Sequence, residues 1–107
     1  MKKRNKLYQI IKYFGLSSQK RKFMEEATEL FEAITEYQVM CRRLEGYPAD
    51  YVDDVLEVYR MHIVEELGDN LIMLGQFKEL FGIKDEVLER MMRFKVKRTF
   101  ERYNINE

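Results

Sequence analysis

The sequence has few of the residues that interrupt or cross-link a chain. Among its 107 residues there are one proline, five glycines and one cysteine, and there is no tryptophan. A single cysteine excludes an internal disulfide and a cysteine-based metal site, which agrees with a reducing compartment. We therefore expect Cys41 to be a small, buried apolar residue.

Long apolar runs and an excess of one charge are also missing. No stretch approaches the roughly 20 apolar residues that span a bilayer. The apolar segment after basic residues 1–6 is short and contains Lys12, which argues against a signal peptide. The 19 basic and 19 acidic side chains cancel, so nothing global favours nucleic acid or an anionic membrane as partner. We expect a cytoplasmic protein.

Helical periodicity is what the sequence has in abundance. No alternating pattern convinces as a strand, so the predicted fold class is all-α, with residues 1–107 as a single domain. We predict four main helices, at about residues 5–14, 18–44, 50–81 and 85–103. The last three would begin at capping side chains: Ser17 or Ser18, Asp50 and Asp85. Gly15 and Gly82 would end the first and third helices as left-handed residues. So short a chain has a small core, which makes a homodimer or homotetramer a serious expectation.

The two long helices carry apolar residues at alternating steps of four and three, as in helical bundles. In the second helix these residues are Phe23, Ala27, Leu30, Ile34, Tyr37, Cys41 and Leu44. In the third they are Ile63, Leu67, Leu74, Phe77 and Phe81, with Asn70 in the same row.

Carboxylates flank both rows in the same register. Glu26 and Glu29 lie beside the first row, with Glu25 pointing away, and Glu66 and Asp69 lie beside the second. If the helices pack together, these four acids repel one another unless a cation is bound. Carboxylate oxygens suit Mg²⁺, with Mn²⁺ as a substitute. The alternative is that each acidic pair lines a solvated helix face.

These motifs resemble a known family over about residues 22–103. The segments E-E-x-x-E at residues 25–29 and E-x-x-D at residues 66–69 are similar to those of the MazG-like all-α nucleoside triphosphate pyrophosphohydrolases. The segment at residues 95–103, KVKRTFERY, is similar to the closing K-x-x-x-N-x-x-R-Y signature of that family. Thr99 stands where the signature has Asn, a contact that could have moved to Asn104.

The resemblance implies hydrolysis of the α–β phosphoanhydride of a nucleotide to a monophosphate and pyrophosphate. It implies Mg²⁺ held by Glu26, Glu29, Glu66 and Asp69, with Glu25 or Glu29 orienting or deprotonating the attacking water. Three cations of the last helix and one before the first motif would bind phosphates. They are Lys95, Arg98, Arg102 and Lys22. The alternative to phosphate binding for the first three is that they form a solvated basic face near the end of the helix.

Some alternatives remain open on the sequence. Asn70 either touches substrate or fixes the helix register, and we favour the register. His62 is expected to be a partly buried or surface histidine, because a di-iron bundle would need a second one. The rival functions are an inactive MazG-like interaction module and a phosphoribosyl-ATP type of pyrophosphohydrolase. The 36 residues between Glu29 and Glu66, a gap that is long for the family, could reshape the base pocket or cover a partner subunit.

Overall fold

The computed structural model describes residues 5–106, which form four α-helices. They are α1 (Lys6–Phe14), α2 (Leu16–Arg43), α3 (Ala49–Leu80) and α4 (Asp85–Tyr103). The all-α prediction is confirmed, since this range contains no strand. None of the four helices combines the length and apolarity that crossing a bilayer requires. Residues 1–4, where the basic segment begins, lie outside the described range.

The helix ends agree with the sequence better than the helix starts. Gly15 ends α1 and Gly82 follows α3, both with a positive φ, although Gly15 has an extended ψ of 152° instead of a left-handed one. The predicted serine caps are wrong, because Gly15 alone joins α1 to α2 and α2 has begun before Ser17. Pro48 and Lys84 precede α3 and α4, so the predicted caps at Asp50 and Asp85 are also wrong. Both acids lie in the first turn, where they favour the positive end of the helix dipole.

The core is a pair of long helices covered at one end by α1. Helix α3 packs against both α2 and α1, and α1 also contacts the start of α2. Among residues 5–106 the buried apolar side chains are few: Ile11, Ala33, Leu44, Leu56 and Met73. So small a core agrees with the expectation from chain length.

The inner row of α2 differs from the predicted one at every second position. Phe23, Leu30, Tyr37 and Leu44 face inward as predicted. Glu26, Ala33 and Met40 lie between them, in place of Ala27, Ile34 and Cys41, and Gln19 precedes Phe23 in the same row. The expectation of a buried Cys41 is therefore wrong, and its thiol is exposed.

Helix α3 shows the same difference, forty residues further along the chain. Ile63, Asn70 and Phe77 face inward as predicted, and Glu66 and Met73 lie between them. The exposed apolar rows that result are called the outer stripes. The α2 outer stripe comprises Met24, Ala27, Phe31, Ile34 and Cys41, and the α3 outer stripe comprises Val64, Leu67, Leu71, Leu74 and Phe81. Consequently Glu26 and Glu66 lie within the helix interface and not beside it.

Helix α4 stands apart from the rest of the described chain. It packs against none of the other three helices, and every residue along its length is exposed except the half-buried Phe100. An ion pair of 3.0 Å between Lys78 Nζ and Asp85 Oδ1 joins its start to the end of α3. The radius of gyration is 18.5 Å, against about 13 Å for a compact domain of this length. The two long helices and the unpacked α4 make the chain more extended than a compact domain.

Candidate metal centre

Three carboxylates from two helices converge where α2 crosses α3. Glu26 and Glu29 of α2 and Glu66 of α3 each offer an oxygen atom, and these atoms all lie within 4.8 Å of one another. Ligand oxygens on opposite sides of a Mg²⁺ ion are about 4 Å apart, so small side-chain movements would bring this group to bonding distance. Asp69, the fourth predicted ligand, is exposed and close enough to Glu29 to affect its titration. Glu25 is exposed, as the helix register indicates.

The two inner glutamates each hold a carboxylate oxygen without a partner. Glu26 Oε2 and Glu66 Oε2 are both inaccessible to solvent, and neither accepts a hydrogen bond. Glu66 as a whole is only 9% exposed. A buried charge of this kind is costly unless it is paired or coordinates a metal ion. Two such oxygens in one carboxylate cluster are donors of the type that a hard divalent cation prefers.

The other oxygen of each glutamate is held by the residue one helical turn earlier. Lys22 Nζ lies 3.3 Å from Glu26 Oε1, and His62 Nε2 lies 3.4 Å from Glu66 Oε1. His62 Nδ1 also lies 3.6 Å from Glu36 Oε2 on α2. Side chains that engage one carboxylate oxygen fix the direction of the other, as groups behind metal ligands commonly do. Lys22 and His62 stand forty residues apart, in the same register as the glutamates.

Asn70 fixes the relative position of the two helices at this level. Its Nδ2 donates to the backbone oxygen of Glu26 at 2.9 Å and to that of Glu66 at 2.8 Å. Asn70 is only 6% exposed, and its amide nitrogen is occupied by these two hydrogen bonds to the backbone of the inner glutamates. The prediction that Asn70 sets register is confirmed.

The pKa of Glu29 reflects the closeness of the other carboxylates. Its carboxyl pKa is raised above 4.5, first by the neighbouring Glu26 carboxylate, then by burial, and then by Glu66, Asp69 and Glu25. Of the two predicted bases, Glu29 is the one that lies in the carboxylate cluster.

A cleft of about 400 Å³ opens beside the carboxylates, between α1 and the two long helices. Its walls combine apolar side chains, Lys22, two of the carboxylates and two buried glutamines. The lining residues are Ile10, Phe14, Ser18, Gln19, Lys22, Glu26, Asp69, Ile72, Met73 and Gln76. Gln19 Nε2 donates to Gln76 Oε1 at 2.9 Å across the helix interface. A concave, mostly apolar site with a few convergent polar groups is typical of a small-molecule pocket.

The sequence analysis missed the glutamines of this cleft and the role of α1 as one of its walls. Gln19 lies one heptad before Glu26, in the same inner row, and is 3% exposed. A polar residue that continues a core row was the available signal. No comparable signal indicated that α1 would cover this end of the bundle.

The predicted cations of α4 do not reach the carboxylates within one chain. Lys95, Arg98 and Arg102 lie at helical steps of three and four, hence on one face. None of them lines the cleft, and among the described residues no ion pair joins them to an acid of the cluster. Thr99 Oγ1 donates to the backbone oxygen of Lys95 at 2.9 Å, so its hydroxyl forms a hydrogen bond within α4. Asn104 ends α4 in a left-handed conformation.

In comparisons with protein-family models, curated proteins and solved structures, no match to this chain is found. The likeness to MazG-like enzymes therefore rests on the motif residues alone.

The cluster predicts an unusual dependence of stability on pH without metal. Because the folded pKa of Glu29 is raised, its charged form opposes folding at pH values above that pKa. The metal-free protein should gain stability as the pH falls through the raised pKa toward 4.5, and Glu29→Gln should reduce this gain. Urea unfolding in EDTA at several pH values measures it, with Glu32→Gln, an exposed residue of α2, as the matched control. An identical pH profile in Glu29→Gln and the wild type would contradict the prediction.

Proposed function

We propose that this protein is a Mg²⁺-dependent nucleotide pyrophosphohydrolase, which cleaves the α–β phosphoanhydride of an NTP or dNTP with one water to a monophosphate and pyrophosphate. The observation that carries the proposal is the pair of buried, unpartnered oxygens of Glu26 and Glu66 in a carboxylate cluster beside a cleft of about 400 Å³. Resemblance of the acidic motifs to MazG-like enzymes supports the reaction class.

The donor set fits a hard divalent cation. Glu26, Glu29 and Glu66 would hold it, with Asp69 at the edge of the cleft as the fourth ligand. When bound, Mg²⁺ supplies neutralisation of phosphate charge and a lower pKa for a coordinated water, and Mn²⁺ can substitute. Asn70 holds the two helices that carry these ligands in register.

Side chains around the cleft would transfer the proton and bind the phosphates and the nucleoside. Glu29 accepts a proton from the attacking water, and exposed Glu25 supports it by charge. Lys22, half exposed at the cleft, donates to the phosphate chain. The apolar wall, with Gln19 and Gln76, receives the nucleoside. A homodimer or homotetramer is part of the proposal, supported by the few buried apolar residues of a single chain.

The direct test is a substrate panel. Purified protein is incubated with each NTP and dNTP, and with phosphoribosyl-ATP, in Mg²⁺ or in EDTA, and pyrophosphate is measured. We expect Mg²⁺-dependent release from at least one NTP or dNTP. Release from phosphoribosyl-ATP alone would support the specialised enzyme instead. If no compound is hydrolysed, while Mg²⁺ still binds, the protein is an inactive module and the proposal fails.

Lys22 provides a prediction for substrate binding. Lys22→Met should raise the KM for the nucleotide by about 10-fold or more, because a charge-assisted hydrogen bond contributes about 1.5–3 kcal/mol. Because Lys22 also pairs with the largely buried carboxylate of Glu26, the variant should lose stability as well, so the KM is measured at a temperature at which circular dichroism shows the variant to be folded. Lys20→Met is the matched control, since Lys20 is exposed on the same helix and does not line the cleft. Equal KM values in the two variants would remove Lys22 from the site.

A further inference from the structure

His62 lies between two carboxylates that belong to different helices. Its Nε2 atom is 3.4 Å from Glu66 Oε1 on α3, and its Nδ1 atom is 3.6 Å from Glu36 Oε2 on α2. The imidazole side chain is 44% exposed, so ions from solvent can reach it. His62 is also the only histidine among the 107 residues. Any imidazole ligand that this chain offers to a metal ion therefore comes from this position.

A neutral imidazole cannot donate a hydrogen bond to both acids. It carries one N–H group, and its other nitrogen presents a lone pair. If Nδ1 donates to Glu36, the lone pair of Nε2 faces Glu66 Oε1, and two acceptors then lie 3.4 Å apart. Two facing acceptors repel each other unless a positive charge lies with them. That charge is either a proton on the second nitrogen or a metal ion that both atoms bind.

The distances favour a shared metal ion over a second proton. Charge-assisted hydrogen bonds from nitrogen to oxygen measure about 2.7–2.9 Å, and a fully protonated ring would shorten its contacts toward this length. Both contacts of His62 are longer. Two ligand atoms of a tetrahedral Zn²⁺ ion, with bonds of about 2.0–2.1 Å, are separated by about 3.4 Å. The distance between His62 Nε2 and Glu66 Oε1 matches this separation.

Glu36 and the burial of Glu66 supply the other features of such a site. A histidine that binds a metal ion through one nitrogen usually donates its other N–H to a carboxylate, which fixes the tautomer and the direction of the ring. Glu36 is the carboxylate next to Nδ1. Glu66 is 9% exposed and retains the unpartnered oxygen Oε2, so it lacks compensating positive charge. The spacing of four residues places His62 and Glu66 on one face of α3.

A nitrogen ligand changes which metal ion fits. Carboxylate and water oxygens suit Mg²⁺, whereas imidazole suits Zn²⁺ and other transition ions. We propose that His62 Nε2 and Glu66 Oε1 bind a transition-metal ion of the Zn²⁺ type at the edge of the carboxylate cluster, with Glu36 orienting the imidazole ring. Water and the exposed Glu29, which has an oxygen within 4.8 Å of one on Glu66, complete the coordination. This site does not depend on the proposed hydrolysis.

Metal binding without nucleotide tests the site. The full chain, free of metal and of added histidines, is titrated with ZnCl₂ in a calorimeter in excess Mg²⁺, which occupies sites made of oxygen alone. A parallel titration with CoCl₂ follows visible absorption, which is strong for four-coordinate Co²⁺ and weak for six-coordinate Co²⁺. We expect one Zn²⁺ per chain and a strong Co²⁺ absorption. A wild-type protein that binds no Zn²⁺ overturns the proposal.

His62→Gln separates a metal ligand from a residue that only supports Glu66. Glutamine can still donate to Glu66 Oε1 but has no nitrogen lone pair for a metal ion. Zn²⁺ affinity should fall by at least about 100-fold, because changes behind metal ligands already cost about 10–100-fold. Mg²⁺ affinity should remain within about 3-fold, below the cost of losing a partner behind a ligand. Unchanged Zn²⁺ affinity, or equal losses for both ions, would show that His62 is not a ligand.

Glu36→Gln tests the carboxylate on the other side of the ring. Zn²⁺ affinity should fall by about 10–100-fold, because the amide no longer holds the ring through a charged acceptor. Glu32→Gln is the matched control, since Glu32 is also exposed on α2, and it should remain within about 3-fold of the wild type. Equal losses in the two variants would remove Glu36 from the site.

Failure of this site and failure of the proposed function are distinguishable. If Zn²⁺ does not bind but pyrophosphate is released from a nucleotide in Mg²⁺, the function stands and only the transition-metal site is wrong. If no nucleotide is hydrolysed, the binding measurements still decide whether His62 is a ligand.

Discussion

Replacing Glu66 by glutamine should lower Mg²⁺-dependent pyrophosphate release by more than about 100-fold, because changes to residues merely behind metal ligands already cost about 10–100-fold. Glu66 joins the cluster from α3, and its buried Oε2 has no other partner. A neutral amide of the same size retains the packing but loses the charge that would bind the cation. Steady-state assays of pyrophosphate release across Mg²⁺ concentrations measure the effect.

Glu65→Gln is the matched control for this substitution. Glu65 precedes Glu66 on the same helix but is exposed, so its substitution changes the net charge equally without altering the cluster. The control should remain within about 3-fold of the wild type, since exposed charges contribute little. Similar losses in both variants would show that the effect comes from overall charge and not from the site.

Magnesium should raise the melting temperature of the wild-type protein by about 10 °C or more. An ion present at 100 times its Kd stabilises the folded state by about 2.7 kcal/mol. In a domain of about 100 residues, each kcal/mol corresponds to roughly 4–8 °C. Thermal unfolding followed by circular dichroism, with Mg²⁺ or with EDTA, measures this shift at constant ionic strength.

The melting temperature of the Glu66→Gln protein should differ from that of the wild type in two ways. Without metal it should melt higher than the wild type, because one of the mutually repelling carboxylates has been removed. Addition of Mg²⁺ should then change its melting temperature by only a few degrees, about as much as for a protein without the site. A metal-free Glu66→Gln protein that is less stable than the wild type would mean that Glu66 contributes to folding through other contacts.

The sequence by itself determined the helices and their ends. Their boundaries follow from local properties: a periodic apolar pattern, the absence of strand patterns, and glycines that accept a positive φ at residues 15 and 82. The starts were less predictable, because Gly15 joins two helices directly and Pro48 precedes α3. Such junctions depend on how the neighbouring helices pack, which capping preferences do not describe.

The sequence also selected the acidic residues, since equal spacing on two helices requires only the helical repeat. It could not decide which of two adjacent rows faces the other helix. In α2 and α3 both rows are largely apolar, and a rotation by about one position exchanges them. Packing placed Glu26 and Glu66 within the interface and left Ile34 and Leu74 outside. Asn70 and the Gln19–Gln76 bond belong to the row that the structure uses.

What only the tertiary structure decided is thus which groups are buried and which are near one another. Burial left one oxygen on each inner glutamate without a partner, and the position of α1 formed the cleft beside them. It also separated the basic row of α4 from the carboxylates of its own chain. These properties depend on contacts between residues far apart in sequence, and helical periodicity carries no information about such contacts.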